Sequence, residues 1–275
     1  LFSYGSNVYV QNSLFSDNSA RRGGALFLFE SFSEIYSSTI SSNLASTAGG
    51  GVVFAGMLGR NEQAGRIANS TISGNSSLRY AGAIGVCGKA HVDLLSNTIV
   101  SNASASSYEE DGSGGVALVL DAGMTSVGSL PGYVNVVNTI LSGNEEKNGS
   151  PSNLTARAGA VKRRRTDDVH FFQKYGLMDD CLYSTLGDTI YRPADAEYVT
   201  CATFSDASSF GETVAFDASV SLFPLGYYAS VLPCMPFRDS MKCLCDGMPL
   251  DNLAAVTNDV FLKDQLMLDQ RGVPR

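Results

Sequence analysis

The sequence predicts an all-β solenoid, in which short strands wind into stacked coils around one narrow core. Three observations carry this prediction. Nearly the same heptapeptide occurs five times in the first 144 residues, at 12–18, 37–43, 69–75, 96–102 and 138–144. Each copy ends in asparagine (Asn18, Asn43, Asn75, Asn102, Asn144) and has a large apolar residue three positions earlier: Phe15, Ile40, Ile72, Ile99 or Leu141. After each of the first four copies comes a small-residue pair (Gly23-Gly24, Gly49-Gly50, Ala81-Gly82, Gly114-Gly115), followed by an apolar run.

The spacing sets the size of the coil. Successive terminal asparagines are 25, 32, 27 and 42 residues apart. A basic unit near the shortest of these, with variable insertions, fits one turn of a three-stranded coil, because strands rise about 3.3 Å per residue and are short. The first strand of each unit is expected just after the glycines, at 25–29, 52–55, 83–87 and 116–120. The second is expected at 33–36, 65–68, 91–94 and 133–136, and the third within the heptapeptide, as at 39–41 and 71–73. Residues 55–63 and 104–113 hold the turn-formers of surface insertions. A helical reading fails, because β-branched residues dominate the runs and glycine interrupts them.

Each repeated residue type has a physical task in such a coil. Asparagine tolerates left-handed torsions and bonds neighbouring main chain, so it suits the bend. Stacked asparagines can bond one another in a ladder that satisfies polar groups at a corner turned inward. The apolar residue three back then points into the core. The glycine pair leaves room for a tight corner and for adjacent coils to approach.

After about residue 145 the regularity dissolves. The expected organisation is coils over 1–145, an exposed polar and basic insertion over 146–168, and distorted final coils with a cap over 169–275. Residues 169–178 and 198–204 suit further strands, and 251–268 carries apolar spacing that partly suits a short helix. A cap is expected physically, because an open solenoid end exposes strand edges and core.

Composition narrows the function classes. Charged residues make up only 17%, so the surface must be largely Ser, Thr, Asn and Gly, a pattern of extracellular proteins. The net charge of −8 argues against nucleic acid as a partner, since phosphate binding needs clustered Lys and Arg. No run of 18 apolar residues spans a bilayer as a helix. The chain begins with Leu1 inside a running pattern, which reads as an excised or processed piece.

Of six cysteines, Cys181, Cys201, Cys234, Cys243 and Cys245 crowd the irregular part, which fits disulfides in an oxidising compartment. Cys87 stands alone in the repeat region, either as a small buried hydrophobe or as the long-range partner of a C-terminal cysteine. The Cys243-Leu244-Cys245 spacing is too tight for a zinc knuckle, and no metal or other cofactor is expected.

These features resemble the bacterial and algal surface proteins with polymorphic-outer-membrane-type repeats. Their repeats read roughly S-x-I-x-x-N-x-A-x-x-G-G-A-I. Ile40 to Asn43 followed by Gly49-Gly50, and Ile72 to Asn75 followed by Gly82-Ala83-Ile84, match that pattern. The C-terminal end is similar to the closing segment of choice-of-anchor, CSLREA-type members, where L-L-P-x-S-P-A-I-D precedes T-D-Q-R-G-x-P-R. Here residues 231–239 read VLPCMPFRD and residues 268–275 read LDQRGVPR. The resemblance departs at 145–230 and in cysteine content. It implies a right-handed parallel β-helix with a surface or secreted structural or adhesive role, and it names no catalytic residue. Within the closing segment, Arg271 with Asp269 would form a charge-assisted pair, and Gly272 would permit the terminal turn.

Parallel β-helices also host polysaccharide enzymes, which need clustered carboxylates or a bound cation with a basic residue. The acidic residues of the repeat region are sparse, and none recurs at equivalent positions of adjacent coils. Glu109-Glu110-Asp111 reads as a solvated turn rather than a calcium site. The nearest approach to a site is Lys89, His91 and Asp93, on alternate positions of one expected strand. No nucleophile elbow, P-loop or zinc motif is present, so the sequence does not support an enzyme.

Five sequons occur, at Asn69, Asn75, Asn102, Asn148 and Asn153. Asn75 and Asn102 are ladder positions, whereas Asn148 and Asn153 fall in the polar insertion and are the best glycan candidates, with Asn69 intermediate. The run Lys162-Arg163-Arg164-Arg165 is a solvated loop, a processing site or a grip for acidic carbohydrate. The expected partners are other copies or other surface proteins, with cell-surface glycans as further candidates, at an extracellular or cell-surface location. Carbohydrate binding or polysaccharide cleavage is the alternative function.

Overall fold

A computed structural model describes residues 1–56, 63–88, 90–105, 113–119, 133–137, 139–146, 149, 154–156, 171–174, 177–178, 224–227 and 232–234. These residues are all-β, with no helix among them. The first circuit holds β1 (Phe2–Tyr4), β2 (Asn7–Gln11), β3 (Leu14–Ser16) and β4 (Ser19–Arg22). The second holds β5 (Leu26–Phe29), β6 (Phe32–Tyr36), β7 (Thr39–Ser41) and β8 (Leu44–Ala48). The third holds β9 (Val52–Ala55), β10 (Gln63–Ala68), β11 (Thr71–Ser73) and β12 (Ser76–Ser77). Next come β13 (Ile84–Cys87), β14 (Ala90–Leu95), β15 (Thr98–Val100) and β16 (Ala103–Ser104). The fifth circuit holds β17 (Val116–Val119), β18 (Tyr133–Val137), β19 (Ile140–Ser142) and β20 (Glu145–Glu146). A sixth follows with β21 (Leu154–Ala156), β22 (Phe171–Lys174) and β23 (Leu177–Met178).

Each strand pairs in parallel with the strand four places on, so four sheets stack side by side. The first runs β1-β5-β9-β13-β17-β21, and the second runs β2-β6-β10-β14-β18-β22. The third takes β3 to β23 in the same steps, and the fourth takes β4 to β20. This succession is consistent with a parallel β-helix.

Register explains the core. Phe15, Ile40, Ile72, Ile99 and Leu141 are paired in one column across the third sheet. Val10, Ile35, Ile67 and Leu94 form a second column, and Leu26, Val52, Ile84 and Val116 a third. All belong to one buried cluster except Phe15, which packs against it at the first circuit. Each fully buried Leu or Ile contributes roughly 1.5–3 kcal/mol of transfer free energy.

The structure differs from the sequence expectation in three respects. Each of the first five circuits has four strands, not three. The fourth follows the terminal asparagine and shares no residue class, reading SARR, LASTA, SS, AS and EE in turn; in Leu44–Ala48 the buried residues Ala45 and Ala48 carry little apolar signal. Left-handed torsions fall beside the terminal asparagine rather than on it. They occur at Asp17, Ser42, Gly74, Ser101 and Gly143 just before it, and at Asn12, Ser37, Asn69 and Ser96, which open the heptapeptide. The neighbour takes the bend and leaves the asparagine side chain free to turn inward. Finally, a strand at Leu154–Ala156 pairs with Val116–Leu118 inside the stretch expected to be an insertion.

One glycine column, Gly24, Gly50, Gly82 and Gly114, is needed for close approach; it takes the second residue of the first three pairs and the first of the fourth. A Cβ on Gly50 would collide with the carbonyl oxygens of Gly82 and Ser76 in the next circuit. The position before this column is constrained differently: Gly23 and Gly49 have φ of 56° and 62°, and a Cβ on them would collide with Leu26 O and Val52 O. Ala81 fills the same place in the third circuit without a positive φ. The expected strand at 198–204 and helix at 251–268 lie outside the described residues, as does the cap built on Cys181, Cys201, Cys243 and Cys245.

Candidate functional site

Two corners of the coil are lined by continuous columns of polar side chains. Between the third and fourth sheets, Asn18 Nδ2 donates to Asn43 Oδ1 at 3.0 Å. Asn43 Nδ2 donates to Asn75 Oδ1, Asn75 Nδ2 to Asn102 Oδ1 and Asn102 Nδ2 to Asn144 Oδ1, each at 2.9 Å. Each Oδ1 also accepts the backbone N–H of the preceding asparagine at 3.0 Å. The amides of Asn43, Asn75, Asn102 and Asn144 donate back as well, to the carbonyls of Phe15, Ile40, Ile72 and Ile99. These four asparagines are at most 1% exposed, so the column closes the hydrogen-bond account of a buried corner.

The second corner, between the second and third sheets, escaped the sequence reading. Ser13 N donates to Ser38 Oγ, Ser38 N to Ser70 Oγ, Ser70 N to Asn97 Oδ1 and Asn97 N to Thr139 Oγ1, at 3.0–3.2 Å. The signal was present at the second place of each heptapeptide, always Ser, Asn or Thr. It was hidden because the residue type changes while the task does not.

The columns bear on the sequons. Asn75 and Asn102 commit their amide nitrogens to the column. Asn69 is buried, and its Nδ2 lies 3.4 Å from Ser37 Oγ as donor. Asn148 and Asn153 lie outside the described residues. Cys87 is buried in β13, where its Sγ donates to Phe54 O, and Cys234 is also buried.

The second sheet carries a row of ionisable groups on its outward face. Ile35, Ile67 and Leu94 turn inward, so their strand neighbours Glu34, Arg66 and Asp93 face out. Register places those three in one column on successive circuits. Arg66 Nη1 donates to Glu34 Oε1 at 3.2 Å, and Nη2 lies 3.8 Å from Asp93 Oδ2. His91 Nε2 stands 3.3 Å from Asp93 Oδ1. The Tyr36 hydroxyl bonds Arg66 and Glu34, and burial together with Glu34 pushes it up to about 12 against the pull of Arg66. Burial pulls the Arg66 guanidinium down, but Tyr36, Asp93 and Glu34 more than reverse this, so it is raised.

Glu34 and Asp93 therefore occupy equivalent positions two circuits apart, with a cation between them. Arg66 engages both carboxylates. Such a row is built as a stabilising column of alternating charge. It is also the place among the described residues where acid, base and imidazole meet. Lys89, Glu109-Glu110-Asp111 and Lys162–Arg165 lie outside the described residues. Among the described residues no group of three His, Cys, Asp or Glu is placed to hold a metal ion.

No protein-family model, curated protein or solved structure matches the chain.

Proposed function

We propose that this chain is a right-handed parallel β-helix that serves as an extracellular structural or adhesive module at a cell surface. The observation that carries the reading is the unbroken asparagine column over five circuits. It is an investment in a stiff, extended scaffold rather than in a reacting centre. The weakly charged, Ser- and Asn-rich composition and the resemblance to polymorphic-outer-membrane-type repeat proteins support the same reading. Partners are other copies or other surface proteins, met by the sheet faces and insertion loops, and the copies join as a glycosylated surface filament or coat.

Electron microscopy and light scattering of the purified chain test the assembly. Filaments or ordered oligomers are expected, and a strictly monodisperse monomer at high concentration counts against them. Glycopeptide mass spectrometry on chain secreted from a eukaryotic host is expected to find sugar at Asn148 and Asn153 and none at Asn75 or Asn102. Sugar on the two column asparagines of folded protein would contradict the arrangement of that corner.

One observation favours a second reading, as a carbohydrate-binding or polysaccharide-cleaving protein. It is the outward row of Glu34, Arg66, His91 and Asp93. A glycan array with a reducing-end assay separates the two. Binding or cleavage lost in Asp93→Asn and His91→Ala would replace the structural reading.

A further inference from the structure

The third sheet is buried on both sides at its second and third circuits. Ile40 and Ile72 face inward, so Thr39, Ser41, Thr71 and Ser73 beside them face out, yet all four are buried, Thr39 completely. One of the groups that meets this face comes from far along the chain. Thr39 Oγ1 donates to Pro233 O at 2.6 Å, a buried bond between residues 194 apart. Pro233 and Cys234 are buried there as well. Cys234 N donates to Gly226 O at 2.8 Å and Gly226 N to Cys234 O at 3.1 Å, an antiparallel bridge beside a stack whose strand pairings are parallel.

We propose that residues 224–227 and 232–234 form a strap that folds back along the outside of the stack and closes the outward face of the third sheet at the second circuit. The coil has already run on to a sixth circuit at Leu177–Met178, so this contact reaches back past four circuits to β7. The chemistry of the contact is complementary. Proline has no N–H, so at position 233 the strap can offer only an acceptor, and the outward face of β7 supplies a hydroxyl donor. The Gly226–Cys234 bridge holds the two arms of the strap together as a clasp. Thr71 repeats the place of Thr39 one circuit on and Ser73 that of Ser41, so the strap lies at the head of a threonine column and beside a serine column that begins one circuit earlier at Ser16. With the strap closed, Thr39 at the head of the threonine column is withheld from solvent and from any partner; with it open, that end of the column becomes a polar face. The strap is thus a gate on this face, distinct from the structural role proposed for the coil.

The test is the rate at which iodoacetamide modifies Cys234 in the full chain, read residue by residue by peptide mass spectrometry, with Cys87 reporting on the coil. In the native protein Cys234 reacts far more slowly than in urea. Thr39→Val removes the donor without changing the shape and is expected to raise the Cys234 rate about tenfold while Cys87 stays protected. Thr39→Ser keeps the hydroxyl and restores the slow rate. An unchanged Cys234 rate in Thr39→Val, or a native rate equal to that in urea, overturns the proposal. If Thr39→Val also exposes Cys87, hydrogen exchange in the unaltered chain decides: protection of the Gly226 and Cys234 amides supports the strap, and free-chain exchange at both rejects it.

Discussion

The two polar corners of the coil solve one problem at different levels of stringency. At both, the N–H of one circuit must find an acceptor on the next. At the second-to-third sheet corner a single oxygen is sufficient, and serine, asparagine and threonine supply it in turn at Ser38, Ser70, Asn97 and Thr139. At the third-to-fourth sheet corner the side chain must accept two donors from one circuit while its own nitrogen reaches carbonyls and the next amide. Among short side chains only asparagine has both a carbonyl and an NH₂ to do this. A residue that varies along a column marks a simple requirement, and a constant one marks a compound requirement.

The comparison breaks first at its strict side. Asn75→Ala removes the acceptor used by Asn43 N and Asn43 Nδ2 and the donor to Ile40 O and Asn102 Oδ1. With several buried groups left unmatched, the expected loss is about 3–5 kcal/mol of unfolding free energy in urea titration. Gly50→Ala sets a Cβ against two main-chain oxygens, and a loss of about 3 kcal/mol by the same measurement is expected. Ser70→Ala removes the acceptor used by Ser38 N and the donor to Ala68 O, and costs about 1–2 kcal/mol. The sharpest comparison is Ser70→Asn, expected to change stability by less than about 1 kcal/mol because Asn97 already fills that place one circuit on. A loss as large as that of Asn75→Ala would show that the two corners are equally strict.

The smallest effect concerns the outward row of the second sheet. Tyr36 is pushed up from 10.0 to about 12, so the folded chain holds this proton more tightly than the unfolded chain. Its contribution is therefore complete below pH 10.0 and is lost as pH rises toward about 12. Tyr36→Phe should flatten stability across that window relative to the unaltered chain, as seen in denaturant midpoints taken at steps of pH.

What could be read from the sequence follows the same division. The third-sheet strands and the apolar column were legible because one residue class recurs at fixed distance from a constant asparagine. The fourth strand was not, since Ser76–Ser77 and Ala103–Ser104 offer two small residues with no apolar alternation. The second corner was hidden by interchange of hydroxyl and amide. The pairing of Glu34 with Arg66 was hidden by distance, because an insertion of variable length separates the circuits that hold them. The sixth circuit at Phe171–Lys174 and Leu177–Met178 lies in the stretch 169–178 expected to hold strands, but with no asparagine-terminated heptapeptide to divide it, its two strands were not separable in the sequence. The contact of Pro233 with Thr39 joins two segments that share no pattern at all.

The asparagine column also controls how errors travel. Successive members are 25, 32, 27 and 42 residues apart, yet their amide-to-amide distances stay at 2.9–3.0 Å. Each asparagine re-zeroes the chain after whatever excursion preceded it, so a lengthened loop in one circuit is not inherited by the next. A coil with this device works as a digital structure: its rungs are counted, and the lengths between them are free.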